Sequence, residues 1–317
     1  MHRFELPPHL RKTSFTVMNS DAAGVPRERT RASDLIYVSR GIRVPTDAEL
    51  KGSAALAAYT EVNPRSVLSH LSAAHLWGIP LPWGREEDWR IHLANPTAQR
   101  APRRANVVGH RLNLRSGEIW LFNGVRLTSR ARTWLDLAPS LSLNDLIAAG
   151  DFLVCSHGPE FPAPRTAHCT IEDLAQVIAH HPGVRGIRKA RAALELIRVG
   201  SDSPPETFMR LALVEAGLPE PELNVVVKNE YGIAVLWPDG AYPDYKISLQ
   251  YDGIHHNDSR QYEHDIERLE TTKRMGWVEI RISRNDLRGD HPAVVQKIAA
   301  ALRAKNWRPN SPHRGDM

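Results

Sequence analysis

The residues of this chain best placed to do chemistry lie in one stretch, residues 238–256, which reads PDGAYPDYKISLQYDGIHH. Its second apolar run alternates strictly, so Ile247, Leu249 and Tyr251 fall on one face of a strand and Ser248, Gln250 and Asp252 on the other. Gln250 and Asp252 therefore stand side by side, and Asp239, at the near end of the hairpin, can close against them. An acid at a strand end, facing oxygen-bearing side chains two apart, suits a hard divalent cation such as Mg²⁺. His255 and His256 follow at once, and imidazole is the side chain best poised to move protons near neutral pH. The same pattern also describes an ordinary hairpin whose polar face meets water.

The elements that would position these groups can be read on either side. Upstream, Ser203-Pro204-Pro205-Glu206 has the S-x-x-E spacing of a capping box with proline early in the helix. Phe208, Leu211 and Val214 then line one helix face until Gly217 ends it. Strands are predicted over 223–229, 233–238 and 245–252. A charged helix over 261–275 carries Asp265, Arg268 and Thr272 on one face, and Gly276 stops it. The segment WVEIRIS alternates as a strand, a last helix spans 291–304, and the polar tail 309–317 is expected to be disordered. Helix, three strands, helix, strand, helix is a compact α/β order.

The rest of the chain is a larger and more basic region. With 317 residues, 42% of them hydrophobic and 24% charged, the chain has room for two or three globular domains. No apolar run approaches the roughly 20 residues of a membrane span, and the N-terminus lacks a secretory apolar core, so a cytoplasmic protein is expected. The two cysteines, Cys155 and Cys169, have no metal-ligand spacing and read as structural or incidental thiols. Residues 1–45 carry eight Lys/Arg against four Asp/Glu, residues 46–200 carry 18 against 14, and residues 201–317 carry 15 against 18. The basic part thus precedes the carboxylate-bearing part, which suits a nucleic-acid-binding module joined to a metal-using one.

Within residues 1–45 the order is helix, Gly24 turn, a second helix rich in arginine (Arg27, Arg29, Arg31), then a hairpin turning at Arg40-Gly41. That is the order of a winged helix-turn-helix, in which the second helix enters the major groove and Lys/Arg hold phosphates. A small helical cap with solvated arginines has the same pattern. Residues 46–155 mix helices (53–59, 66–76, 129–138, 143–154) with strand-like pieces (89–94, 106–111, 119–127). Ser69, His70 and His75 lie on a packed helix and read as structural, with no base and orienting group paired nearby. Arg130 and Asp136 suit an internal ion pair or a phosphate contact. Residues 156–200 are a proline-rich linker followed by a basic helical segment.

The region 201–304, with SPPET followed by Arg210, AGLPEPELN, the opening stretch and a D-x-x-R…GW run, resembles the PD-(D/E)XK nuclease superfamily. Its nearest likeness there is a domain related to very-short-patch repair endonucleases. The resemblance implies a restriction-endonuclease-like α/β core over 201–308 that hydrolyses DNA phosphodiester bonds with Mg²⁺ or Mn²⁺. It implies Asp239 as the central metal ligand and Glu206 as an accessory acid. Gln250 stands where the family usually has glutamate, Asp252 takes the place of the superfamily's lysine, and His256 matches a catalytic or phosphate-contacting histidine. Asp265 and Arg268 would brace the site or touch the nucleic-acid backbone. An RNA substrate fits the same phosphates. More loosely, FTVMNSDAAGV, SRGIRVP, SHLSAAHLWGIPLP and LTSRARTWLDLA resemble the abortive-infection type IV antitoxin family. That likeness implies a winged helix-turn-helix over 1–45 that uses Arg27, Arg29, Arg31 and Arg40 on DNA, a mixed α+β middle domain over 46–155, and a possible toxin partner. The alternative it offers is a non-catalytic DNA-binding regulator with a degenerate nuclease-like domain, and Gln250 is the residue that favours it.

Overall fold

The computed structural model describes residues 4–85, 88, 90–253, 259–289 and 292–309. Its elements run α1 (Pro8–Arg11), β1 (Phe15–Thr16), α2 (Val17–Ala22), β2 (Leu35–Ser39), β3 (Ile42–Pro45), α3 (Gly52–Glu61), β4 (Val67–Leu68), α4 (His70–Trp77), β5 (Ile91–Pro96) and β6 (Val107–Leu112). They continue through β7 (Ile119–Phe122), β8 (Val125–Thr128), α5 (Arg130–Leu137), α6 (Leu143–Val154), α7 (Ile171–His180), α8 (Ile187–Leu196) and α9 (Pro204–Glu215). The last are β9 (Val227–Lys228), β10 (Ala234–Leu236), β11 (Gly240–Tyr242), β12 (Ile247–Asp252), α10 (Ser259–Arg274), β13 (Val278–Ser283) and α11 (Ala293–Ala304). The protein is mixed α/β, in two compact units: 1–141 with 172–190, and 142–171 with 191–317. The first 45 residues fall within the first unit. Ser14 donates its N–H to Ala54 O (2.8 Å) and its Oγ accepts from Ala58 N–H (3.1 Å), which ties the N-terminal segment to α3. Among the described residues no helix is long and apolar enough to cross a membrane.

In the first unit, Thr16 caps α2 by accepting from Asn19 N–H (2.9 Å). The arginine-rich piece after Pro26 is a single 3-10 turn, Arg29–Arg31, rather than the helix expected, because β2 already begins at Leu35. The β2–β3 hairpin does turn at Gly41 (φ +77°) and joins β1 in the order β1-β3-β2. The five-stranded sheet runs β6-β5-β4-β8-β7. Residues 119–127, expected as one strand, form two, because Asn123 (φ +47°) and Gly124 (φ +80°) make a tight hairpin turn. The stretch 66–76 divides as well: Val67–Leu68 pair in the sheet and the helix starts only at His70. Asp136 pairs with Arg132 (3.0 Å) rather than with Arg130, whose guanidinium lies over the Trp77 ring at 4.4 Å.

In the second unit, β11 pairs antiparallel with β12, and β12 pairs parallel with β13 through the α10 crossover. Met209 and Leu213 of α9 pack with Tyr242, Ile247, Leu249, Ile282, Val294, Ile298 and Leu302 into one core. The buried stripe of α9 therefore runs through Glu206, Met209, Arg210 and Leu213, while Phe208 and Val214 are only half-buried. Arg210 and Asp151 of α6 form a fully buried ion pair at 2.8 Å, and Thr207 Oγ1 donates to the same carboxylate oxygen at 2.8 Å. Leu196 O and Glu220 accept further Arg210 hydrogen bonds, which offset part of the cost of burying both charges.

Candidate functional site

The alternation of β12 is met only in part, because Ser248, expected on the polar face, is buried, and Tyr251, expected on the apolar face, is half-buried against the core. Ile247 and Leu249 are fully buried, and Gln250 and Asp252 are partly exposed. Asp239, directly before β11, extends the ladder by donating its N–H to Leu249 O (3.1 Å). That pairing brings its carboxylate over the next strand, where Oδ2 accepts from Gln250 Nε2 (2.9 Å) and from Tyr251 N–H (2.6 Å). Glu206 enters from the first turn of α9. It is not part of a reciprocal capping box: its carboxylate accepts from Asp202 N–H (2.8 Å) and from Ser203 Oγ (2.7 Å).

Glu206 is thereby buried and Asp239 half-buried. Burial, then the charge of Asp239, pushes Glu206 up to about 7. Burial raises Asp239 to about 6, against the hydrogen bonds from Tyr251 and Gln250 and the nearby charge of Arg268. Among the described residues neither has a cation in ion-pair contact. A second row of charges runs along β13, where Ser248 faces Glu279 and Gln250 faces Arg281 in register. Arg268 of α10 donates to Glu279 (3.1 Å), Arg281 donates to its other oxygen (2.9 Å), and Arg281 lies 3.7 Å from Asp252. Asp239, Gln250 and Glu206 are thus brought together, while Asp252 leans toward Arg281. His255 and His256 lie outside the described residues, as does the Asp265 side chain.

Beside Glu206 lies a network that sequence spacing does not reveal. His157 Nε2 contacts Asp202 Oδ2 at 2.6 Å, and its Nδ1 contacts Asn224 Oδ1 at 2.6 Å. Cys155 Sγ donates to Asp202 Oδ1 (3.3 Å), and Arg165 pairs with that same oxygen at 2.8 Å. Burial pushes the Cys155 thiol up to about 12, so it stays protonated. Both ring nitrogens of His157 face acceptors, and a guanidinium already neutralises Asp202. The group forms a hydrogen-bonded brace at the start of α9.

The N-terminal arginines divide. Arg29 is buried, with its fork on Asp34 (2.8 and 2.7 Å) and its Nε on Phe4 O (2.6 Å), so it serves the fold. Arg27 is exposed and pairs with Asp21, and Arg31 is exposed. Arg40 sits exposed at the hairpin turn, where its carbonyl accepts from Arg104 (2.7 and 2.9 Å).

No family model matches the chain, and no solved structure matches it. It is similar to uncharacterized proteins of Mycobacterium tuberculosis strains CDC 1551 / Oshkosh and ATCC 25618 / H37Rv. Each is 26% identical over 233 residues, which span 73% of this chain and 79% of the relative.

Proposed function

We propose that the second unit is a Mg²⁺-dependent (or Mn²⁺-dependent) endonuclease-like domain of PD-(D/E)XK type, directed to DNA by the basic N-terminal segment. One observation carries this reading: buried Glu206 and half-buried Asp239 both hold their protons more tightly than ordinary carboxyls, the charge of Asp239 adding to the burial of Glu206, beside Gln250 on the next strand. Buried like charges cost stability unless they are protonated or bridged by a cation, and a carboxylate pair with an amide oxygen is a hard-oxygen donor set. Asp239 and Gln250 would hold the ion, with Asp252 next along the strand. Bound there, a hard divalent cation supplies Lewis-acid polarisation of a phosphodiester and a more acidic water. Tyr251 N–H fixes the Asp239 carboxylate. Turning the Gln250 amide over presents its carbonyl oxygen in place of its N–H, which keeps a ligand without a charge. Glu206, poised near neutral pH, is placed to hand a proton to or take one from a reacting oxygen. Arg268 and Arg281 would meet phosphate.

One feature supports a second reading. The Gln250 amide already satisfies Asp239 without any cation, as expected of a DNA-binding regulator of type IV antitoxin type whose nuclease-like domain has lost catalysis. Incubation with plasmid, single-stranded DNA and RNA, with and without Mg²⁺ or Mn²⁺, separates the two. The nuclease reading expects metal-dependent cutting that Asp239→Ala abolishes. Retarded but uncut DNA, with no effect of Asp239→Ala, favours the regulator.

A further inference from the structure

His70, His92 and His110 come from three elements of the first unit and converge through the sheet's register. β5 and β6 are parallel with His92 opposite Val108 and Ala94 opposite His110, so His92 and His110 are diagonal neighbours on one face. Leu68 of β4 pairs with Leu93, and Ser69 N–H donates to His92 O (3.1 Å), which sets the next residue, His70, against that face. His70 opens α4 with a left-handed backbone (φ +48°), a conformation that a side chain other than glycine adopts at a cost. The His70 and His110 rings lie 3.7 Å apart, the His92 and His110 rings 5.1 Å, and His92 Nδ1 is 3.0 Å from His110 Nε2. One ring nitrogen from each of the three lies within 4.8 Å of the others.

The three rings are poorly matched to one another as hydrogen-bonding partners. Burial, aided by mutual repulsion, holds His70 down near 2 and His92 near 4, and burial alone lowers His110. The three rings bring one nitrogen each within reach of a single ion. Ser69 Oγ meets His70 Nδ1 (3.0 Å), and one contact joins His92 to His110. His92, only 8% exposed, keeps a buried Nε2 with no hydrogen-bond partner. The nitrogen of His92 that faces the cluster is the other one, Nδ1. Two imidazole nitrogens sharing a tetrahedral Zn²⁺ at about 2.05 Å stand roughly 3.3 Å apart, close to the His92–His110 separation.

We propose that His70, His92 and His110 bind one borderline divalent cation of the Zn²⁺ class, at a site that shares no residue with the carboxylates of the second unit. The His70 ring, now stacked on the His110 ring, would turn off that face to join the set. Three imidazoles suit Zn²⁺, Co²⁺ or Ni²⁺ and not Mg²⁺, and they leave a fourth position for water or a further ligand. The ion would pin the start of α4 to β5 and β6.

The test is Co²⁺ titration of the tag-free, chelator-treated full chain, followed by visible absorption. The expected result is one equivalent of Co²⁺ giving the d–d bands of a four-coordinate ion with no thiolate-to-cobalt band, displaced by Zn²⁺. Folded His110→Ala and His70→Asn should lose the bands, and Asp239→Ala should keep them. No bands in the wild-type chain, a thiolate band implicating Cys155, or bands unchanged in the folded histidine variants would overturn the proposal. The wild-type spectrum decides even if both histidine variants fail to fold.

Discussion

At the scale of single residues, Gln250 and Glu206 carry the chemistry that can be tested most sharply. Asp239 and Glu206 bind protons more tightly in the folded chain than an ordinary carboxyl does. Their contribution to stability is therefore present at low pH and is lost as pH rises from the usual carboxylate range through about 7. A cation competes with those protons. The gain in melting temperature from millimolar Mg²⁺ should be larger at about pH 8 than at about pH 5, and absent in Asp239→Ala. Equal gains at both pH values would remove the metal assignment. Gln250→Glu restores a third charge, so it should lower the Mg²⁺ concentration at half-effect by about tenfold or more, the equivalent of about 1.4 kcal/mol. An unchanged titration in that variant counts against Gln250 as a ligand.

At the scale of elements, the site depends on how α9 is held. Its first turn carries Glu206, and one turn further Arg210 is locked to Asp151 on α6 with both charges fully buried. Removing one partner strands the other, so Asp151→Ala should destabilise the chain by about 3–5 kcal/mol in urea unfolding. A loss below about 1 kcal/mol would mean that the pair does not anchor the helix. The α9 stripe also shows which features are legible in sequence and which are not. The S-x-x-E spacing locates a helix start, yet Glu206 turns its carboxylate to Asp202 and Ser203 instead of completing a capping box. The buried face does not follow from the apolar pattern, because Arg210 looks like a solvent residue until Asp151, 59 positions away, is seen beneath it. The Asn123-Gly124 hairpin is, by contrast, available from sequence, since that dipeptide is the strongest local turn signal.

At the scale of the whole molecule, the arginines that the sequence groups into one DNA-binding set separate into two kinds. If the N-terminal segment holds DNA, replacing exposed Arg27, Arg31 and Arg40 with alanine should weaken binding and reduce the slope of log affinity against log salt by up to about 0.9 per lost phosphate contact. Arg29→Ala should instead lower the melting temperature, since its fork on Asp34 is internal. A salt slope unchanged by the triple substitution would leave the basic charge without a nucleic-acid role.

The sequence alone determined what depends on neighbours along the chain. The two-residue period of β12 placed Ile247 and Leu249 inward and left Gln250 and Asp252 half-exposed, though Ser248, of the same polar set, is buried; the Gly41 turn and the βαβ order of the second unit followed from equally local rules. Tertiary structure decided what depends on register between distant strands and helices. Only the parallel pairing of β5 with β6 makes neighbours of His92 and His110 across 18 positions, and only the packing at the start of α9 brings Cys155 to Asp202 across 47. Such contacts leave no period or spacing in the sequence, because side chains meet through folded backbone whose path a local pattern does not encode. The stretch 238–256 thus stands out in the linear chain, while the histidine cluster exists only in the fold.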